Sequence, residues 1–368
     1  MDEVGRYGLA GSTLIADIAS ARTRFGERSA VLVETAILRR KAATKFENAE
    51  GWFFTDEALQ QATASPVAEH RARRLAGAVV HDATCSIGTE LAALRNRAAY
   101  VVGSDLDPVR LAMARHNVSD VPLCRADALR PVTADAVVVV DPARRSGSRR
   151  RFDPRAYLPP LDELLRELRD RDHVVKCAPG VDFGVLGDLG FEGEVEITSL
   201  AGSVREACLW SPGFAEAGVR RRATMLDTAE QVTDADPDDC PVAAAGRWIV
   251  DPDGAVVRAG LVRHYAARHG LWQLDADIAY LSGDRLPDGV RGFEVLDQVA
   301  FSERHLRQAL SARGVGAVEI LVRGVDVDPD ALRSRLRLRG AAHLSVVITR
   351  LGSGSASRAT AFLCRPSR

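Results

Sequence analysis

An aspartate closes a run of four valines, Val137 to Val140, and six arginines follow among the twelve residues from Arg144 to Arg155. The segment reads Asp141-Pro142-Ala143-Arg144-Arg145, then Ser146-Gly147-Ser148-Arg149-Arg150-Arg151. The carboxylate of Asp141 can accept a hydrogen bond from an amine and hold its nitrogen lone pair in line for a transferred group. That is positioning catalysis and needs no covalent intermediate. The competing reading is an aspartate that caps a turn before Pro142. Arg144, Arg145, Arg149, Arg150 and Arg151 supply charge for phosphates, with Asp153 the one acid in the run. Asp141 and Pro142 are therefore candidates for the chemistry, and the arginines for a polyanionic acceptor.

A second set of acids lies upstream. Asp82-Ala83-Thr84-Cys85-Ser86-Ile87-Gly88-Thr89-Glu90 follows an apolar run, and Gly88 lets backbone approach a ligand at a helix N-terminus. Asp105, 23 positions after Asp82, follows Gly103-Ser104 and precedes Leu106. A carboxylate there can accept both hydroxyls of a ribose. Asp127, beside Ala128, can accept from an adenine amino group. Ribose, adenine and a cationic sulfonium tail bordered by Asp82 together describe S-adenosylmethionine. The expected cofactor set is Asp82, Thr84, Cys85, Gly88, Asp105, Leu106, Asp127 and Ala128. A nicotinamide dehydrogenase is disfavoured, because G-x-G-x-x-G is absent after the first strand.

Lys176 is one of three lysines, with Lys41 and Lys45, among 49 basic residues. A lysine where arginine is the default suggests a compact point charge, for a phosphate, a ribose oxygen or an ion pair. Cys177 beside it invites a covalent-adduct mechanism. Its apolar context and the lack of a second cysteine after Asp141 favour a buried thiol instead.

These residues need a scaffold. Residues 1–72 read as helical, with apolar residues at helix-compatible intervals and a helix start at Thr55-Asp56-Glu57. From about 73 to 213, strands alternate with helices, which implies right-handed crossovers and a parallel sheet. The expected strands are 78–82, 99–105, 121–124, 136–141 and 173–176, followed by an antiparallel hairpin of 194–200 and 205–210. Ligands bind beyond the carboxyl ends of such strands, where the acids stand. Residues 214–245 read as a connecting segment with an acidic linker at 233–239. Residues 246–368 read as an α+β module, with Asp251-Pro252-Asp253-Gly254 as a hairpin turn and Ser302 as a helix cap.

With 368 residues and 46% hydrophobic content, the chain is expected to hold two or three domains. A net charge of −1 argues against a globally basic nucleic-acid binder, so any such contact must be local. The six cysteines are scattered without metal-ligand spacing, so no metal is expected. With no long apolar run or signal-like N-terminus, neither a membrane span nor export is expected, and the reading is cytoplasmic.

The chain resembles a class I S-adenosylmethionine-dependent methyltransferase, more narrowly an actinobacterial family with an appended THUMP-like domain. The matching elements are Lys45-Phe46, Leu59-Gln60-Gln61-Ala62-Thr63, Asp82-x-x-Cys85-x-x-Gly88, Asp105-Leu106-Asp107-Pro108, Asp141-Pro142-Ala143-Arg144-Arg145, Arg149-Arg150-x-Phe152-Asp153-Pro154 and Lys176-x-Ala178-Pro179-Gly180. Arg221-Arg222-Ala223-Thr224, Asp251-Pro252-Asp253-Gly254-Ala255, Ala279-Tyr280-Leu281 and Arg337-Leu338-Arg339-Gly340 match downstream. The first loop and Ala114-Arg115-His116-Asn117 are also similar to trimethylguanosine synthases, which methylate a guanine exocyclic amine. The resemblance implies a Rossmann-like sheet, S-adenosylmethionine as cofactor and RNA as partner, since THUMP domains in related enzymes bind structured RNA. It implies methyl transfer to a base nitrogen. The alternatives are an RNA-binding protein that keeps the fold without turnover, and methylation of small molecules or protein. Two departures stand out. Thr84, Ser86 and Thr89 occupy positions where the family favours glycine, and Ala143-Arg144 replaces the proline and stacking aromatic usual in base N-methyltransferases.

Overall fold

The computed structural model describes residues 3–143, 145–146, 149–150, 153–352 and 354–368, with backbone alone for Arg145, Ser146, Arg149, Arg150 and Ser355. The chain divides into two compact units. The first comprises residues up to Val195 with Arg205–Ala217, the second Glu196–Val204 with Gly218–Arg368.

The first unit opens with four helices: α1 (Leu14–Phe25), α2 (Ser29–Ala42), α3 (Asp56–Gln61) and α4 (Ser65–Arg74). Thr55 caps α3 as the sequence predicts, its hydroxyl accepting from the Ala58 N–H at 3.1 Å. Then come β1 (Val79–Asp82), α5 (Thr89–Leu94), β2 (Tyr100–Asp105), α6 (Pro108–Asn117), β3 (Leu123–Arg125) and β4 (Val137–Val140). Two short strands, β5 (Arg145–Ser146) and β6 (Arg149–Arg150), pair antiparallel. After α7 (Leu161–Glu167), β7 (His173–Cys177) and α8 (Phe183–Asp188) come β8 (Glu194–Leu200), most of it counted with the second unit, and β9 (Ser203–Trp210), most of it counted with the first. Ala201 and Gly202 between them have φ of 53° and 66°, the positive pair that a tight hairpin turn requires.

Within this unit the sheet order is β3-β2-β1-β4-β7-β9. The first five strands are parallel, and β9 runs antiparallel to β7. From β1 the chain winds outward through β2 and β3, then returns to place β4 on the other side of β1. The reversal makes the β1/β4 crevice the place where a parallel sheet binds ligands. Register aligns the tips, with Asp82 opposite both Gly103 and Val139. The four valines of β4 are all buried, as a strand covered on both faces must be.

The second unit contributes β10 (Arg221–Met225), β11 (Glu230–Thr233), β12 (Trp248–Val250), α9 (Gly254–Arg258), α10 (Val262–His269), β13 (Trp272–Asp275) and β14 (Ile278–Gly283). It continues with β15 (Gly292–Ala300), α11 (Glu303–Ala312), β16 (Val315–Arg323), α12 (Pro329–Leu336), β17 (Ala342–Leu351) and β18 (Arg358–Pro366). Seven strands form a sheet in the order β13-β14-β12-β15-β18-β17-β16. Only β16 and β17 pair in parallel there, joined through α12. Leu306, Leu310, Leu332, Val346 and Leu363 make its core.

Two local expectations change. Asp251-Pro252-Asp253-Gly254 is not a hairpin turn: Asp253 caps α9, accepting from the Ala255 N–H at 2.7 Å. The acidic stretch 233–239 is held within the second unit, with Asp236 accepting from Thr233 N–H at 2.7 Å and pairing with Arg268 at 2.8 Å.

Candidate active site

The loop after β1 is shaped by backbone donors that converge on carboxylates. Thr84 N–H reaches Asp82 Oδ1 at 3.2 Å, and Ser86 N–H reaches Asp105 Oδ2 at 2.9 Å. Ser86 takes a left-handed φ of 49° and Gly88 a φ of 90°. A side chain on Gly88 would place its Cβ 2.8 Å from Val118 Cγ2, so only glycine lets α5 begin here. Asn117 fixes the loop from behind, donating to Ile87 O at 2.9 Å and to Phe53 O at 3.0 Å. Ile87 is buried among Phe46, Phe54, Ala58 and Leu59, so the N-terminal helical region packs onto the loop.

Asp82 is 3% exposed. Burial, and next the charge of Glu90, push its carboxyl up to about 8. Such a group is short of positive charge, and a sulfonium beside it would supply that charge. Asp105 accepts one backbone N–H on each oxygen, from Ser86 at 2.9 Å and Asp107 at 2.8 Å. Each oxygen has a second lone pair, which suits the two hydroxyls of a ribose. Leu106 exposes 56% of its surface beside it, an apolar face that a purine can cover. Asp127 accepts from Leu129 N–H at 3.0 Å, and Ala128 is buried. Cys85 is a buried thiol, and burial first and then Asp82 push its pKa upward. These residues fit an S-adenosylmethionine site: Asp82 and Asp105 would hold its charged and ribose portions. When bound, the cofactor supplies an activated methyl group.

At the ends of β4 and β7 a second set of charges is built on one buried lysine. Lys176 Nζ lies 2.6 Å from Asp141 Oδ2, with the lysine side chain 7% exposed and the aspartate 30%. The Thr63 hydroxyl accepts a second bond from Nζ. Glu90 and Glu206 stand at 3.8 Å and 4.0 Å. Burial alone would push the ammonium pKa down, but Asp141 and Glu206 outweigh it and the net direction is up. Arg71, fully buried, grips Glu90 with two bonds at 2.8 Å and 3.0 Å. It also pairs with Glu206 and lies 3.0 Å from Cys208 Sγ. Burial pushes the Glu206 carboxyl up, but Arg71 and Lys176 outweigh it, so it is held below the usual carboxylate range. Thr84 ties this network to the first loop, its hydroxyl accepting from the Asp141 N–H at 2.7 Å.

The structure thus gathers Asp82, Thr84, Asp141 and Lys176 around the ends of β1, β4 and β7. Pro142 is buried and Ala143 exposed, bridging to Leu158 through bonds of 2.8 Å and 3.0 Å. Arg144 and Arg151 lie outside the described residues, as do the side chains of Arg145, Arg149 and Arg150. Sequence reasoning missed Thr63, Arg71, Glu90 and Glu206. The available signal was a lone charge on an apolar strand, since Glu206 precedes Ala207-Cys208-Leu209-Trp210 and a charge there needs a partner. Among the described residues, no cluster of three or more His, Cys, Asp or Glu side chains is placed to hold a metal ion.

Comparison with known proteins gives the family. A family described as THUMP domain-like matches residues 290–366. An uncharacterized S-adenosylmethionine-dependent methyltransferase from Mycobacterium tuberculosis is 67% identical over 357 residues, covering 94% of this chain and 100% of the relative. The crystal structure of a methyltransferase candidate from Porphyromonas gingivalis W83 superposes with a TM-score of 0.76 at 18% identity, covering 98% of this chain and 100% of that one. The chain belongs to the S-adenosylmethionine-dependent methyltransferases of class I and carries a THUMP-like domain in its C-terminal region.

Proposed function

We propose that this methyltransferase acts on RNA. The observation that carries the reading is the THUMP-like match at residues 290–366 on the same chain as the methyltransferase sheet. The net charge of −1 requires that phosphate contacts be local. In the second unit Arg333 and Arg335 already pair with Asp330 and Glu303. The segment after Asp141, with Arg144, Arg145, Arg149, Arg150 and Arg151, is therefore the better phosphate contact. Asp82, Thr84, Cys85, Gly88, Asp105, Leu106, Asp127 and Ala128 form the cofactor side of this reading, and Asp141 with Pro142 the acceptor side. Within RNA, an amine-orienting Asp141 implies a base nitrogen. Its Oδ2 already accepts from Lys176, which competes with amine orientation, and an oxygen acceptor is the second reading. The site of action is the cytoplasm; no helix among the described residues is long and apolar enough to cross a membrane.

Methyl-labelled S-adenosylmethionine offered separately with total RNA, protein extract and small metabolites tests the reading. Label is expected in the RNA fraction. Label confined to protein or metabolites overturns the RNA assignment, and failure of calorimetry to detect cofactor binding overturns the site.

A further inference from the structure

Two matched segments, Lys45-Phe46 and Leu59-Gln60-Gln61-Ala62-Thr63, back the cofactor loop with Phe46 and Leu59, which pack around Ile87, while their polar groups serve elsewhere. The structure brings them to the acceptor side. Lys45 Nζ donates to Leu59 O at 2.8 Å and to Gln60 O at 3.1 Å. Its own carbonyl accepts from Ser65 N–H at 3.0 Å. Between those anchors, the Thr63 hydroxyl meets Lys176 Nζ, which also donates to Asp141 Oδ2. Lys45 is thus held at backbone and side chain by the segment that touches the Lys176–Asp141 pair.

Leu59 O and Gln60 O occupy two of the three donor positions an ammonium has on Nζ and leave the third to exchange a proton. The cationic groups acting on Lys45 are Lys176 and Arg205. Lys41, the neighbouring lysine on α2, is engaged by Asp56 at 2.9 Å. Burial first, then those two cations, bring Lys45 down to about 8, within the range where lysine serves as a base.

We propose that Lys45 is the general base of methyl transfer and that the acceptor is an alcohol, which in RNA is the ribose 2′-hydroxyl. This rests on the RNA reading above for the substrate but not for the base. A neutral base amine attacks through its lone pair and sheds its proton afterwards, so it needs no base during transfer. An alcohol must lose its proton as its oxygen bonds to carbon. The hydroxyl oxygen attacks the methyl carbon while its proton passes to the Lys45 nitrogen. The carbon–sulfur bond breaks and its electron pair remains on sulfur. The products are a methyl ether, S-adenosylhomocysteine and a lysine ammonium, so one positive charge is conserved. Lys176, kept as an ammonium by Asp141, is a positioning residue whose charge adds to burial in lowering the proton affinity of Lys45.

Three measurements test this. Acylation of the full chain across pH, read by mass spectrometry at its three lysines, requires no cofactor; a Lys45 midpoint near 8 is expected, and one above about 10, the ordinary lysine value, overturns the assignment. Lys45→Arg keeps both donors but stays protonated and cannot accept a proton, so turnover should fall by about 100-fold or more with S-adenosylmethionine affinity retained. Turnover within a few-fold of wild type overturns the role, and Lys45→Met provides a second variant should arginine disturb the fold. Alkaline hydrolysis of labelled RNA gives the acceptor atom: a 2′-O-methyl group blocks cleavage beside it and leaves the label in dinucleotides. Label in mononucleotides overturns the alcohol while the RNA reading stands. An O-methylated metabolite, lost in Lys45→Arg, supports the base and overturns RNA.

Discussion

Asp82 and Lys176 face each other across the same few residues with opposite electrostatic problems. Lys176 has carboxylates around it and keeps its proton. Asp82 is buried beside Glu90 and has its pKa pushed up to about 8, well above the ordinary aspartate value of about 4. The sign follows from linkage. A folded pKa above the unfolded one means that the native state binds the extra proton. The associated stability is complete below about pH 4 and is lost as pH rises through about 8. Without cofactor, the wild type should therefore lose stability relative to Asp82→Asn between pH 5 and pH 8, measured as denaturation midpoints at each pH; parallel curves for the two proteins would remove Asp82 as the source. A bound sulfonium reverses the preference by favouring the ionised carboxylate. Affinity for S-adenosylmethionine should rise from pH 6 to pH 9 more steeply than affinity for S-adenosylhomocysteine, whose sulfur is neutral. Equal slopes by calorimetry would place the sulfonium elsewhere.

At the scale of elements, the first loop shows what a single glycine carries. Gly88 combines a φ of 90° with a Cβ position 2.8 Å from Val118 Cγ2, whereas Gly190 has a φ of 73° with nothing within 4 Å. Alanine at either site should cost about 1–3 kcal/mol in backbone strain. Only Gly88→Ala also pushes α5 away from α6, so it alone should weaken S-adenosylmethionine binding. Cofactor titrations on both variants separate the effects; matched affinities would mean that the loop tolerates the shift. The contrast also explains which parts of the fold were legible. Val137–Val140, the acids that end β1 and β2 and the one that follows β4 are local signals, because a doubly covered strand must be apolar and a parallel sheet binds at its strand ends. Asp251-Pro252-Asp253-Gly254 was misleading because aspartate before glycine suits both a turn and a helix cap. Arg71 and Glu206 meet across 135 positions, and no window along the chain records such a pair. Ser86, flagged as a departure from glycine, does occupy a left-handed position with φ of 49°; its N–H bond to Asp105 holds it there.

Across the whole molecule, a net charge of −1 with 49 basic residues means that affinity for a polyanion depends on which arginines are already neutralised. Arg71 is consumed by Glu90 and Glu206, Arg291 by Glu319, Arg323 by Asp251, and Arg333 and Arg335 by Asp330 and Glu303. Releasing such an arginine to a phosphate exchanges one ion pair for another and frees few counterions. The run from Arg144 to Arg155 has six arginines and a single acid, Asp153, so phosphate contacts made there are expected to add to the salt dependence. On single-stranded RNA, every neutralised phosphate steepens the slope of log affinity against log salt by about 0.7. Replacing Arg149, Arg150 and Arg151 together by serine should make the slope shallower by about two units and weaken RNA binding at 50 mM salt more than at 200 mM, with S-adenosylmethionine affinity unchanged. The double variant Arg333→Ser with Arg335→Ser should barely move the slope, because its charges are already met. Filter binding over a salt series distinguishes the two: an unchanged slope in the triple variant would place RNA contact elsewhere on the chain, and a large change in the double variant would show that the THUMP-like unit releases its ion pairs to bind.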